Sequence, residues 1–168
     1  MKTTTQRKDV LLQSQINFHK SFARMSGGFK ITEEKRANEA KEMEVFKSLW
    51  LGIEKGIGDA ELGFGERSEK AMHGLHLYNT VCALYEKAMD SSDSNAYSLF
   101  TTIRMKASGL FSKDYLNIPK ETLYPKLLAL EPVMIACGEL CGVDVLTFED
   151  ALGKRTKEIA SRDQMRPI

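Results

Sequence analysis

ERSEKAMHGLHLYNTVCALYEKAM, residues 66–89, is the stretch on which the prediction of the fold rests. Its apolar side chains recur at alternating steps of four and three residues, which places them on one face of an α-helix. That face consists of Ala71, Leu75, Tyr78, Cys82, Tyr85 and Met89, and it is widened by Leu77, Val81, Leu84 and Ala88. At a rise of about 1.5 Å per residue, such a helix crosses a small domain. The sequence therefore predicts a long central helix that the other helices pack against.

Helical patterns precede and follow this stretch, and together they predict an all-α protein. The predicted helices cover residues 6–25, 33–51, 94–110 and 122–130, a segment opened by Pro132 and ended by Gly142, and a last helix from Thr147 to about Ala160. Thr32 and Thr147 stand at N-cap positions. No segment keeps a period of two residues, so we expect no sheet.

The chain fits one domain, because no linker rich in Pro, Ser or Gly divides it. We predict a compact bundle of about six to seven helices over residues 1–168, with residues 1–5 and 163–168 frayed. Five glycines in residues 52–65 predict an irregular loop. Their spacing matches neither GxxxxGK[ST] nor GxGxxG, which favours a plain connection between helices over a nucleotide-binding loop.

Charge is balanced overall but unevenly distributed. The net charge of +1 gives no global field that would favour nucleic acid or a membrane. Residues 1–36 carry eight Lys and Arg against three Asp and Glu, whereas residues 37–94 carry six against eleven. Ordinary solvated faces would explain this polarity, and so would a basic N-terminal arm that docks on an acidic surface, either of a partner or of the chain's own acidic middle. The basic residues assigned to such a partner contact are Arg7, Lys8, Lys20 and Arg24.

Compartment signals favour the cytoplasm. The first residues, MKTTTQRKDV, lack the apolar run of a secretory signal, and no segment has the length of a membrane helix. Cys82, Cys137 and Cys141 lie in apolar segments, where they are expected to be reduced and buried. We therefore expect a cytoplasmic protein without a membrane partner.

Residues 132–157 have the outline of a helix-turn-helix, with a helix, a turn at Gly142 and a second helix. The stretch GVDVLTFEDAL resembles the turn and recognition helix of helix-turn-helix regulators, which implies contact with DNA. The residues that the resemblance assigns to DNA are Thr147, Lys154, Arg155 and Lys157. The positions expected to face the bases hold carboxylates, which repel phosphates: Asp144, Glu149 and Asp150. A glycine-turned helix pair without DNA is the structural alternative.

Glu69, His73 and His76 are spaced by four and three residues, so that all three side chains could face one cation. The di-iron pattern of helical bundles needs Glu-x-x-His on two helices, and here the residue three after Glu69 is Met72. Histidines at the boundary of a buried helix are the structural alternative. A metal-dependent enzyme is the third hypothesis.

No catalytic constellation is evident elsewhere. The chain has no GxSxG motif, and the carboxylates of residues 33–44 lack the EExxE and ExxD pattern of helical pyrophosphohydrolases. The leading hypothesis is a non-catalytic protein without a cofactor that binds another protein as a regulator, inhibitor or assembly component. DNA is the alternative partner, and association of the chain with a second copy of itself stays open.

Overall fold

A computed structural model describes residues 4–25, 32–55, 66–91, 94–112, 114–154 and 157. Five α-helices account for most of these residues: α1 (Thr4–Met25), α2 (Glu33–Lys55), α3 (Glu66–Asp90), α4 (Ser94–Leu110) and α5 (Lys120–Cys141). A short 3-10 helix, Tyr115–Asn117, precedes α5, and helix resumes at residues 148–154, which we call the C-terminal helical segment. The described residues contain no strand, so the predicted all-α bundle is confirmed.

The termini and the glycine-rich stretch differ in part from the prediction. Helix α1 begins at Thr4, inside the range expected to fray, and α2 continues to Lys55, inside the predicted loop of residues 52–65. The rest of that loop, residues 56–65, and the predicted frayed end at 163–168 lie outside the described residues.

Helix α5 is one continuous helix, whereas the sequence predicted two helices separated near Glu131. Pro125 and Pro132 both lie inside it. A proline within a helix removes one hydrogen bond and costs about 3 kcal/mol. The apolar face of α5 packs against α1, α3 and α4, and each fully buried Leu or Met contributes about 1.5–3 kcal/mol. Several such side chains outweigh the cost of a proline: Leu123, Leu127, Leu130 and Met134.

Helix α3 is central, but its buried face is rotated from the predicted one. The residues expected only to widen the stripe are its fully buried centre: Leu77, Val81, Leu84 and Ala88. Leu75 is 37% exposed, and Tyr78, Cys82 and Tyr85 are half-buried. The rotation arises because α3 contacts α2, α4 and α5 together, so its buried surface is set by three neighbours.

Stacked aromatic rings hold α2 against α3. Trp50 and Phe46 of α2 stack on Tyr78 with ring centroids 5.8 and 5.6 Å apart, and Phe46 also stacks on Phe111. Gly74 permits this close approach, because a Cβ there would lie 2.7 Å from the Trp50 ring. No described helix is both long enough and apolar enough to cross a membrane.

Candidate functional site

A groove of about 1200 Å³ lies between α1, α5 and the C-terminal helical segment, and we call it the α1–α5 groove. Two helical stripes form its long walls, since residues 12, 15 and 19 share one side of α1 and residues 125, 128 and 132 share one side of α5. The start of the C-terminal helical segment forms the third wall. The lining residues used below are Phe18, Leu128, Glu131, Thr147, Glu149 and Asp150.

Large apolar side chains are exposed at this groove. Phe18 of α1 is 64% exposed, and Leu128 of α5 is 57% exposed. Leu11, seven residues before Phe18 and therefore on the same side of α1, is 65% exposed. Single exposed apolar residues are common, but a cluster from two helices beside a concave surface is typical of an interaction site.

The groove is acidic where α5 meets the C-terminal helical segment. Glu131, Glu149 and Asp150 all line the groove. Glu131 is buried, and its Oε1 accepts a hydrogen bond of 2.7 Å from the backbone N–H of Phe148. Burial raises the pKa of the Glu131 carboxyl, opposed by this hydrogen bond and assisted by the negative charges of Asp150 and Glu149. None of the described residues that line the groove is Lys or Arg.

Thr147 begins the C-terminal helical segment. Its Oγ1 accepts a hydrogen bond of 3.1 Å from the backbone N–H of Asp150, which is the predicted N-cap interaction. The two acidic residues of the first turn, Glu149 and Asp150, are exposed. The cap thus orders the backbone of the turn that carries two carboxylates of the groove lining.

The predicted basic contact residues are described only in part. Lys20 forms an ion pair with Glu139 of α5, with the Nζ and Oε2 atoms 2.9 Å apart. Glu139 lies outside the acidic region of residues 37–94, so docking of the basic arm on that region stays a prediction. The side chains of Arg7, Lys8 and Arg24 lie outside the described residues, although the backbone of all three belongs to α1.

The region that resembles a helix-turn-helix has a long connection. Helix α5 ends at Cys141, Gly142 adopts a left-handed conformation with φ 81°, and residues 143–147 are not helical. These six connecting residues exceed the three to four that join a typical helix-turn-helix pair. Lys154 and Lys157 are exposed, and Arg155 lies outside the described residues. DNA contact by these side chains stays a prediction.

His73 and His76 both pack against Phe148. Both imidazoles contact the Phe148 ring edge to face, at centroid distances of 5.6 and 5.3 Å. His76 Nε2 donates to the Leu146 carbonyl oxygen at 3.0 Å, and Glu69 Oε2 accepts from the Tyr124 hydroxyl at 3.4 Å.

Burial lowers the pKa of both imidazoles. Among the described residues, no three His, Cys, Asp or Glu side chains are grouped so that they could hold a metal ion. The contacts of the two histidines connect α3 to the C-terminal helical segment, and a metal site at Glu69, His73 and His76 stays a prediction.

Sequence reasoning did not single out Glu131 or Leu128. Glu131 is the sole charged residue in the apolar run of residues 127–138, and that isolation was an available signal, because a buried charge needs a partner. The exposure of Leu128 had no comparable signal, since it depends on how α1 lies against α5. Comparison of the chain with protein-family models, with curated proteins and with solved structures gave no match.

Proposed function

We propose that this chain is a non-catalytic protein that binds a segment of another protein in the α1–α5 groove and acts as a regulator, inhibitor or assembly component. The observation that carries the proposal is the pairing of Phe18 and Leu128, each more than half exposed, across a concave surface. Burying both side chains under a partner would contribute about 1.5–3 kcal/mol each before the cost of association.

The dimensions of the groove favour a macromolecule over a small ligand. Its volume of about 1200 Å³ exceeds the range of about 300–1,000 Å³ that is common for small-molecule sites. Sites of that kind bury most of their ligand, whereas here two lining apolar side chains, Phe18 and Leu128, are more than half exposed. A helix laid between two helices is a recurrent mode of peptide recognition.

Side-chain chemistry supports a non-catalytic role. Burial raises the pKa of the Cys82 thiol, and a nucleophilic cysteine needs a lowered pKa. The Cys137 thiol is buried and donates to the Ala96 carbonyl oxygen at 3.4 Å. All three cysteines are thiols, not disulfides, which agrees with our proposal of a cytoplasmic location.

DNA binding through residues 132–157 is the second candidate function. The exposure of Lys154 and Lys157 favours it, and the exposed carboxylates of Glu149 and Asp150 oppose it. It predicts that Lys154→Ala with Arg155→Ala weakens binding to duplex DNA and flattens its salt dependence in fluorescence anisotropy. Absent or salt-insensitive binding would reject it.

The proposed function is tested by quantitative affinity capture from the native cell with three forms of the full chain. The forms are wild type, Leu128→Asp in the groove, and Met105→Asp on α4, where Met105 is 62% exposed and does not line the groove. We expect at least one partner to be lost with Leu128→Asp and retained with Met105→Asp. Partners that are retained by both variants, or lost by both, would contradict the proposal.

A further inference from the structure

We propose that the segment bound in the α1–α5 groove is a cationic amphipathic helix, with its apolar face on Phe18 and Leu128 and its Lys or Arg side chains toward Glu149 and Asp150. This inference rests on the proposed function and adds the chemistry of the partner. The charge of the groove favours this occupant, because its described lining residues include three carboxylates and no Lys or Arg.

Carboxylates supply the negative charge of the groove. Glu149 and Asp150 are exposed in the first turn of the C-terminal helical segment, and Glu131 lies buried behind them. All three line the same groove, and no Lys or Arg is found among its described lining residues. Opposite charges across an interface steer association and select among partners, so a basic segment is the complementary ligand.

The spacing of the walls matches a helical ligand. The lining residues of α1 span 12–19 and those of α5 span 125–132, so each wall is about two helical turns, or about 12 Å, long. A helical ligand presents anchors at i, i+3 or i+4, and i+7 over the same length. An extended ligand that binds by adding a strand needs a free strand edge, and the described residues contain no strand.

Three designed peptides of 18 residues test this inference. They share one leucine face and differ in a polar face of Lys, Gln or Glu, and a fourth peptide scrambles the Lys sequence so that no apolar face forms. Binding to the full chain is measured by fluorescence anisotropy at 0.15 M salt, where about 8 Å of screening length leaves close charge pairs effective. We expect the Lys peptide to bind about tenfold more tightly than the Gln peptide, and the Glu and scrambled peptides to bind most weakly.

Two pairs of substitutions localise the effect. Glu149→Gln with Asp150→Asn should reduce the preference for Lys over Gln to about threefold or less, because it removes the facing carboxylates while keeping their shape. Glu33→Gln with Glu34→Gln is the matched control, since it removes two exposed carboxylates from the first turn of α2, away from the groove. This control variant should bind the Lys peptide about tenfold more tightly than the Gln peptide, as the wild type does.

The results separate this inference from the proposed function. Equal binding of the Lys, Gln and Glu peptides, all abolished by Leu128→Asp, would overturn the cationic partner and leave the groove as a docking site. Equal loss of preference in both double variants would overturn the inference, because it would indicate only a response to net charge. If no peptide binds, the inference is also overturned, and the proposed function is then decided by whether Leu128→Asp removes a native partner.

Discussion

Glu131 on α5 accepts the backbone N–H of Phe148 at 2.7 Å, and this hydrogen bond ties the C-terminal helical segment to the middle of α5. The N–H belongs to the first turn of a helix, where backbone donors lack partners within the helix. A buried side chain from another helix supplies the acceptor. The same contact fixes the acidic wall of the α1–α5 groove.

Glu131→Gln and Glu131→Leu should differ in their effect on stability. Burial raises the pKa of Glu131 in the folded protein, so at pH 7 the charged form costs folding free energy that is recovered as the pH falls toward 4.5, the ordinary value. Glutamine keeps an acceptor for Phe148 without the charge, so we expect stability at pH 7 equal to or above that of wild type.

Glu131→Leu leaves the Phe148 N–H without its acceptor, and we expect the free energy of unfolding to fall by about 1–3 kcal/mol. Urea denaturation at pH 7 and pH 4 measures both variants. A loss with glutamine as large as that with leucine would contradict this account.

The histidines around Phe148 predict a loss of stability in mild acid. Burial lowers the pKa of His73 and His76, so the unfolded chain binds more protons than the folded one as the pH falls through 6.5. The stability that they confer is complete above pH 6.5 and declines toward the lowered values. His76→Gln keeps a side-chain N–H for the Leu146 carbonyl oxygen and cannot titrate.

We expect the decline in thermal stability between pH 7 and pH 5.5 to be smaller in His73→Phe with His76→Gln than in wild type. His19, whose pKa is lowered by burial and by the charge of Lys106, contributes to the decline that remains. If the double variant loses as much thermal stability as wild type between pH 7 and pH 5.5, the attribution of the decline to His73 and His76 is wrong.

Gly138→Ala should destabilise the end of α5. An added Cβ would lie 2.4 Å from the carbonyl oxygen of Val143, which is backbone and cannot rotate away. We expect a loss of about 1–3 kcal/mol, typical of overpacking. The matched control is Gly52→Ala on α2, where no atom lies within 4 Å and alanine should stabilise by about 0.5–1 kcal/mol. The denaturation midpoints of the two variants should shift in opposite directions.

Two ion pairs that differ in burial should differ in how much they contribute to the free energy of unfolding. Arg104 of α4 forms a buried pair with Glu39 of α2, whereas Lys20 and Glu139 are more exposed, at 26% and 38%. Arg104→Met leaves the Glu39 charge buried without its partner and should cost about 3–5 kcal/mol. Glu139→Gln should cost less than about 1 kcal/mol. Adding Glu39→Leu to Arg104→Met should recover most of the loss, and a failure to recover would show that packing and not charge dominates.

Local signals in the sequence predicted much of the fold. The helices α1 to α4 follow from periodicity, and the caps at Thr32 and Thr147 are confirmed by hydrogen bonds of their Oγ1 atoms to the N–H of Lys35 and Asp150. The predicted break in α5 before Pro132 was wrong. The tendency of proline to end a helix is a local signal, and it is outweighed here by burial against helices that are distant in the sequence. The buried face of α3 differs from the predicted face for the same reason, since contacts with α2, α4 and α5 determine it.

The groove itself was not predictable from the sequence. It depends on α1 lying against α5, and the ion pair that marks this contact joins residues 119 positions apart. Periodicity in α1 indicates which residues share a side, but not which helix covers that side. The exposure of Phe18 and Leu128 is thus a property of the packed helices and not of either segment.

Site-specific photo-crosslinking in the native cell tests the central claim most directly. A benzophenone amino acid is placed at Ala129, an exposed residue of the groove, and in a second form at Met105 on α4. Binding in the groove predicts a discrete adduct with another protein from position 129, absent from position 105 and abolished by Leu128→Asp. Adducts of equal yield from both positions, adducts only with a second copy of the chain, or no adduct from position 129 would contradict the account.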